Sequence, residues 1–180
     1  MKILQRSALG LMMLLSGVAV GVAHAERIQA TLTGYDEVPS VSTLASGEFR
    51  AVINRNEDSI DFELIYRGLQ GTVQQAHIHV AQLSVNGSIV IWLCQTATPF
   101  LDPTGIADQC PAGQATEAVV RGTITAANVI AGSQGGQQLT AGELAEVIRA
   151  IRAGAAYANV HTNLSTGGEI RGQIRASRRR

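Results

Sequence analysis

Apolar and polar residues alternate along this chain in short runs separated by turn formers, and that pattern leaves little room for anything but an all-β fold. Ile28, Ala30 and Leu32 alternate with polar neighbours, as do Phe49, Ala51 and Ile53. The turn-forming stretch Asn54-Arg55-Asn56-Glu57-Asp58 leads into Ile60, Phe62, Leu64 and Tyr66, and Ala76, Ile78 and Val80 repeat the pattern. A period of two is that of a strand with one buried face. Ser88 to Cys94 is instead a nearly continuous apolar run, as expected of a strand covered on both sides. Ala118 to Thr125, Ala155 to Thr162 and Glu169 to Arg175 bring the count to about eight. So many short strands predict a Greek-key-type β-sandwich. One short helix interrupts them. Thr140-Ala141-Gly142-Glu143 reads as a capping box, Leu144, Val147, Ile148 and Ile151 share one helical face, and Gly154 is placed to end it.

The first residues bear on the compartment. Lys2 and Arg6 precede an uncharged apolar stretch from Ala8 to Ala23, and Ala23-His24-Ala25 has small residues where signal peptidase reads them. Residues 1–25 are therefore expected to be a signal peptide, cleaved after Ala25, with residues 26–180 forming one exported domain, periplasmic or secreted. The stretch is shorter than the roughly 20 residues a spanning helix needs, so no membrane span is expected. With Lys2 and Arg6 gone, the 14 basic residues fall to 12 against 14 acidic ones, a balance of about −2. Such a balance gives no footprint for nucleic acid. The closing Arg178, Arg179 and Arg180 read as a solvated tail. Cys94 and Cys110, an isolated pair flanking one loop, are expected to form a disulfide in an oxidising compartment. The competing reading, a cysteine metal site, lacks a second Cys or a His nearby.

Three of the four histidines lie beyond the signal: His77, His79 and His161. If Ala76, Ile78 and Val80 face the core, His77 and His79 share the opposite face. The same logic places Tyr157, Asn159 and His161 on the outer face of their strand, and Glu169, Arg171 and Gln173 on the outer face of the last. Should these strands be neighbours, three imidazoles can converge into a ligand set for copper or zinc. Glu169, Tyr157, Asn159 and Arg171 stand beside them as a possible fourth ligand or as groups orienting the ligand rings. Because bound rings must be neutral, affinity is expected to fall below about pH 6.5. The bland alternative is a ladder of surface or half-buried histidines with no ion. Asp61 and Glu63, sharing an outer strand face, read as solvated charge. No nucleophile elbow, phosphate-binding glycine loop or specified carboxylate pair is present, so an enzymatic role is without support.

Several segments together resemble the CHRD domain, first named from chordin. They are Gly34-Tyr35-Asp36-Glu37-Val38-Pro39; Ala76-His77-Ile78-His79 followed by Asn86-Gly87; Arg152-Ala153-Gly154 ahead of Tyr157-Ala158-Asn159-Val160-His161-Thr162; and Gly167-Gly168-Glu169-Ile170-Arg171-Gly172-Gln173-Ile174. The resemblance runs from about Ile28 to Arg175. It implies a β-sandwich of a kind widespread in exported bacterial proteins, most without an assigned activity. The sequence departs from the pattern at Asn163-Leu164-Ser165-Thr166, where family members often carry a proline, and in a longer cysteine-bounded insertion after Trp92. A more distant likeness is to copper-zinc superoxide dismutase sandwiches, which also place His-x-His on a strand. This chain has too few histidines for that two-metal site.

Two function classes follow. One is a single-ion copper (or zinc) protein using His77, His79 and His161. The other is a metal-free module that recognises a protein or cell-surface ligand. The sequence specifies no oligomeric state.

Overall fold

The computed structural model describes residues 25–96, 101–114, 116–133 and 136–177. The expected signal peptide, residues 1–25 apart from Ala25, and the terminal arginine run 178–180 lie outside the described residues. Strands β1 (Glu26–Thr33), β2 (Ser46–Ile53), β3 (Ile60–Arg67), β4 (Val73–Val80) and β5 (Ser88–Gln95) come first. A two-residue β6 (Asp108–Gln109) and then β7 (Ala118–Ile124) follow. Helix α1 (Leu144–Arg152) precedes β8 (Ala156–Thr162), β9 (Ile170–Gln173) and a two-residue β10 (Arg175–Ala176). The eight longer strands match the alternating segments; β6 and β10 are too short to leave a periodic signal.

All the strands join one curled sheet in the order β6-β5-β4-β8-β9-β1-β2-β3-β7, with β10 also paired to β1. β9, late in the chain, pairs with β1 at the start of the β1-β2-β3 meander and so joins the two halves of the sheet. Every pairing is antiparallel except the short contact of β5 with β6. The alternating residues Ile28, Leu32, Phe49, Ile53, Leu64, Ile78 and Val160 meet in one core cluster. Gly172 permits the approach of β9 to β1: a Cβ there would lie 2.1 Å from the Thr31 carbonyl oxygen.

Helix α1 buries the apolar stripe Leu144, Val147, Ile148 and Ile151 in the same cluster. Its start differs from the expected capping box. The Glu143 carboxylate does accept from the Thr140 N–H at 2.8 Å, but Gly142 adopts φ 86°, and helical geometry begins only at Leu144. Gly154, at φ 70°, takes the left-handed conformation that lets the chain leave the helix.

Cys94 and Cys110 are disulfide-bonded across 16 residues of sequence. Inside the loop, Gln95 Oε1 accepts from the Leu101 and Asp102 N–H groups at 2.7 and 2.8 Å. The Asp102 carboxylate accepts from the N–H groups of Thr104, Ile106 and Ala107. Closing a loop of this length stabilises a fold by about 3 kcal/mol in the chain-entropy model. Reduction with blocked thiols is therefore expected to lower the unfolding free energy by about that amount, measured by denaturant titration. An unchanged midpoint would contradict it.

One expectation is corrected. The faces of β4, β8 and β9 opposite the apolar core are not solvent-facing: His77 is fully buried, and Tyr157, Asn159, His161, Glu169 and Arg171 are each no more than 6 % exposed. Alternation gave the right partition between faces. The polar face is interior because loops fold over it, so the molecule has an apolar core and, behind the β4-β8-β9 segment, a buried polar layer.

Candidate metal centre

Strand register builds this layer. Across β5, β4, β8 and β9, one rung reads Trp92–His77–Asn159–Arg171 and the next reads Ile89–His79–Tyr157–Gln173. Gln75 faces His161 directly, which sets His161 diagonal to His77 and within reach of it. The β4–β5 pairing shifts register between Ala76 and His77 and again between Ile78 and His79. Such irregularities re-aim side chains, and these flank the two histidines. They also fit the burial of Val90, Ile91, Trp92, Leu93 and Cys94 in succession along β5.

The three rings converge. One ligand atom from each of His77, His79 and His161 can be chosen so that all lie within 4.8 Å of one another. His77 Nδ1 is 3.2 Å from His161 Nε2. Two imidazole nitrogens on one ion of bond length about 2.0 Å are separated by about 3.3–3.5 Å, so this pair has nearly the spacing that an ion imposes once the His77 proton sits on Nε2 and leaves the Nδ1 lone pair free.

Backbone carbonyls select the tautomers. His79 Nδ1 is 2.9 Å from the Gly87 oxygen, and His161 Nδ1 is 2.9 Å from the Thr166 oxygen. A carbonyl only accepts, so both Nδ1 atoms carry the proton and each Nε2 keeps its lone pair. Without an ion His161 Nε2 accepts from His77 Nδ1, and an ion taken up by this pair moves the His77 proton to its other nitrogen, Nε2. The buried Nε2 atoms of His77 and His79 have no hydrogen-bond partner of good geometry, with the Asn159 side chain standing close to the His79 ring. Gln75 Oε1, Trp92 Nε1 and Asn159 Oδ1, in the same layer, are also unpartnered. Buried polar atoms are rarely left so, and a cluster of them marks a place suited to a ligand.

The rings are also held in plane. His79 stacks on Tyr157 with centroids 4.6 Å apart and planes 4° from parallel. The Arg171 guanidinium covers the Tyr157 ring at 3.4 Å from its centroid. Trp92 meets His77 edge-on at 4.3 Å. Arg171 donates to the Val85 carbonyl at 2.8 Å and to Asn86 Oδ1 at 3.1 Å, and Asn86 in turn donates to the Val38 carbonyl at 3.0 Å. These bonds fasten the β1–β2 and β4–β5 loops over the layer.

Glu169 is engaged elsewhere. Its carboxylate accepts from Thr43 Oγ1 at 2.9 Å, the Gln70 N–H at 2.8 Å, the Gly71 N–H at 3.3 Å and Thr162 Oγ1 at 2.8 Å. It ties three loops to the sheet, and no acidic residue joins the histidine group among the described residues. Glu37 is a buried carboxyl to which the sequence gave no role. Burial raises it to about 7 against the opposing influence of Arg171 and the Val38 N–H. Its Oε1 is unpartnered and packs so closely on Gly168 (φ 125°) that a Cβ there would lie 2.2 Å away. Trp92, Glu37 and the Gly87 and Thr166 carbonyls are the contributors that sequence reasoning missed. Glu37 and Gly87 stood within quoted motifs without a role, and nothing local pointed to Trp92 or Thr166.

Burial sets the proton balance. His77 is pushed well below its usual range by desolvation and by the neighbouring His161 and His79. Desolvation lowers His79 to about 4, and His161 also moves down, mainly by burial. The folded rings therefore stay neutral well below pH 6.5, so proton competition with a metal starts lower than the reference value suggested. An unfolded chain protonates its histidines near 6.5 and binds more protons below that pH. The free domain is thus expected to lose stability as pH falls from 6.5 towards about 4, by on the order of 3 kcal/mol for His79 alone. Glu37 has the opposite sign: its contribution is full below its ordinary 4.5 and is lost as pH rises through about 7. Glu37→Gln is expected to gain about 1–3 kcal/mol at pH 8 and to leave the acid limb unchanged. Denaturant midpoints across pH 4–8 check both, and a variant no more stable than wild type at pH 8 would show the Glu37 assignment to be wrong.

No curated protein and no solved structure matches the chain. The family model of the CHRD domain matches residues 28–174, from the third residue of β1 to the residue after β9. That span contains all three histidines, both cysteines and every residue of the buried polar layer, and the chain belongs to the CHRD domain family.

Proposed function

We propose that this is an exported CHRD-domain protein that binds one copper ion through His77, His79 and His161. The observation carrying the reading is the set of three buried, converging imidazoles, two with carbonyl-fixed tautomers and two with unpartnered Nε2 atoms. Neutral imidazoles without thiolate or carboxylate suit late first-row metals rather than calcium or magnesium, and copper ranks above zinc in intrinsic affinity. Tyr157 and Arg171 hold the His79 plane, Asn159 spaces His77 from Arg171, and Glu169 anchors the surrounding loops. The Cys94–Cys110 disulfide supports export, to the periplasm or beyond.

Metal analysis of protein recovered from the exported fraction, made without a histidine tag and reconstituted with copper, is expected to give about one copper per chain. A metal content near zero after reconstitution would end the proposal. A second reading, recognition of a protein or cell-surface ligand, is favoured by exposed Tyr35, Leu44, Leu83, Val85 and Leu164 on the β1–β2, β4–β5 and β8–β9 loops. It is compatible with a bound ion.

A further inference from the structure

We infer that the site is selective for cuprous copper over divalent ions, holding Cu(I) in three-coordinate form; this rests on the copper reading above. The reason is the charge around the ligands. His77, His79 and His161 are 0, 6 and 6 % exposed and supply only neutral nitrogens. No Asp, Glu or Cys joins them among the described residues. The Glu169 carboxylate, the nearest in sequence to His161, is occupied by four donors. Glu37, raised to about 7 by its burial, is only partly charged at neutral pH, and its charge acts on Arg171 rather than on the three histidines.

The fixed charge that remains in the layer is positive. Arg171 is 1 % exposed, its guanidinium lies on the Tyr157 ring, and that ring lies on His79. It has neutral hydrogen-bond partners, Asn86 and the Val85 carbonyl, and no carboxylate bond. An ion entering here loses its hydration, gains no compensating negative charge and stands near a cation. The cost of burying charge grows as its square, so a divalent ion incurs about four times that of a monovalent one.

Coordination number points the same way. Zinc in protein sites completes a tetrahedron with a fourth ligand, and cupric copper favours square-planar or tetragonal sets. The Tyr157 hydroxyl accepts from the Gly87 N–H at 3.3 Å, and the unpartnered oxygens of the layer, Gln75 Oε1 and Asn159 Oδ1, are neutral amide oxygens that bring no charge to a divalent ion. Cuprous copper has a filled d shell, imposes no geometry of its own and is satisfied by three nitrogens.

The test is a set of competition titrations on the untagged mature chain: anaerobic Cu(I) against a chromophoric cuprous chelator, with Cu(II) and Zn(II) against chelators of known affinity. One Cu(I) per chain is expected, bound at least about 10³-fold more tightly than either divalent ion. Between the two copper states, that ratio corresponds to a reduction potential about 180 mV above aqueous copper, at 59 mV per tenfold. Equal or tighter binding of Cu(II) or Zn(II) overturns the inference and leaves the metal-site reading standing. Failure to bind any of the three overturns both.

Discussion

Glu169→Ala is expected to destabilise the domain by about 3–5 kcal/mol, a large fraction of what a domain of this size possesses. The carboxylate is 1 % exposed and accepts from two backbone N–H groups and two threonine hydroxyls. Truncation strands the buried Gly71 N–H at a cost of about 1–3 kcal/mol, deprives the part-buried Gln70 N–H of its acceptor and leaves a cavity as well. The threonine hydroxyls can turn to other acceptors, which keeps the total below the sum of four losses. Glu169→Gln retains one acceptor oxygen and should cost roughly half as much. By contrast, Glu48→Ala, which breaks an exposed pair with Arg50, should change stability by less than about 0.5 kcal/mol. Denaturant unfolding of the three variants measures the ranking. A loss below 1 kcal/mol for Glu169→Ala would mean that the carboxylate does not hold the loops.

His161→Ala is expected to weaken copper binding by at least about 10³-fold, roughly 4 kcal/mol, because a three-ligand site becomes a two-ligand one. It should also cost about 1–3 kcal/mol of stability, since the ring is buried and bonded to the Thr166 carbonyl. That second effect departs from what alternation alone predicts, which is an outer-face histidine removable without consequence. Circular dichroism and denaturant midpoints separate the two effects: the variant should remain folded with native spectra. A folded His161→Ala variant that binds copper within about tenfold of the wild-type affinity would remove this ring from the ligand set.

The architecture was legible because strand periodicity is a local property. Ile28-Ala30-Leu32 and Phe49-Ala51-Ile53 state their buried faces without reference to any other segment. The partition of His77, His79, Tyr157, Asn159 and His161 to a common side was legible for the same reason. Whether that side is wet depends on what covers it, which is set by contacts distant in sequence. His77 and His161 meet across 84 residues, and Thr43 reaches Glu169 across 126. The register that makes them meet is fixed by the β4–β8 pairing and the irregular β4–β5 pairing, neither of which leaves a periodic trace. Glu37 was hidden because its burial arises from a loop packing on Gly168. The continuous apolar run of β5 was the one local hint that the β4 region is covered on both sides.

The most direct test of the central claim is a stoichiometric copper titration of the wild-type domain, residues 26–180, run beside its His77→Ala, His161→Ala double variant. The wild type is expected to bind one ion with an affinity tighter than micromolar, and the double variant none in that range. Absence of stoichiometric binding to the wild type would contradict the account, and so would equal binding by the two proteins.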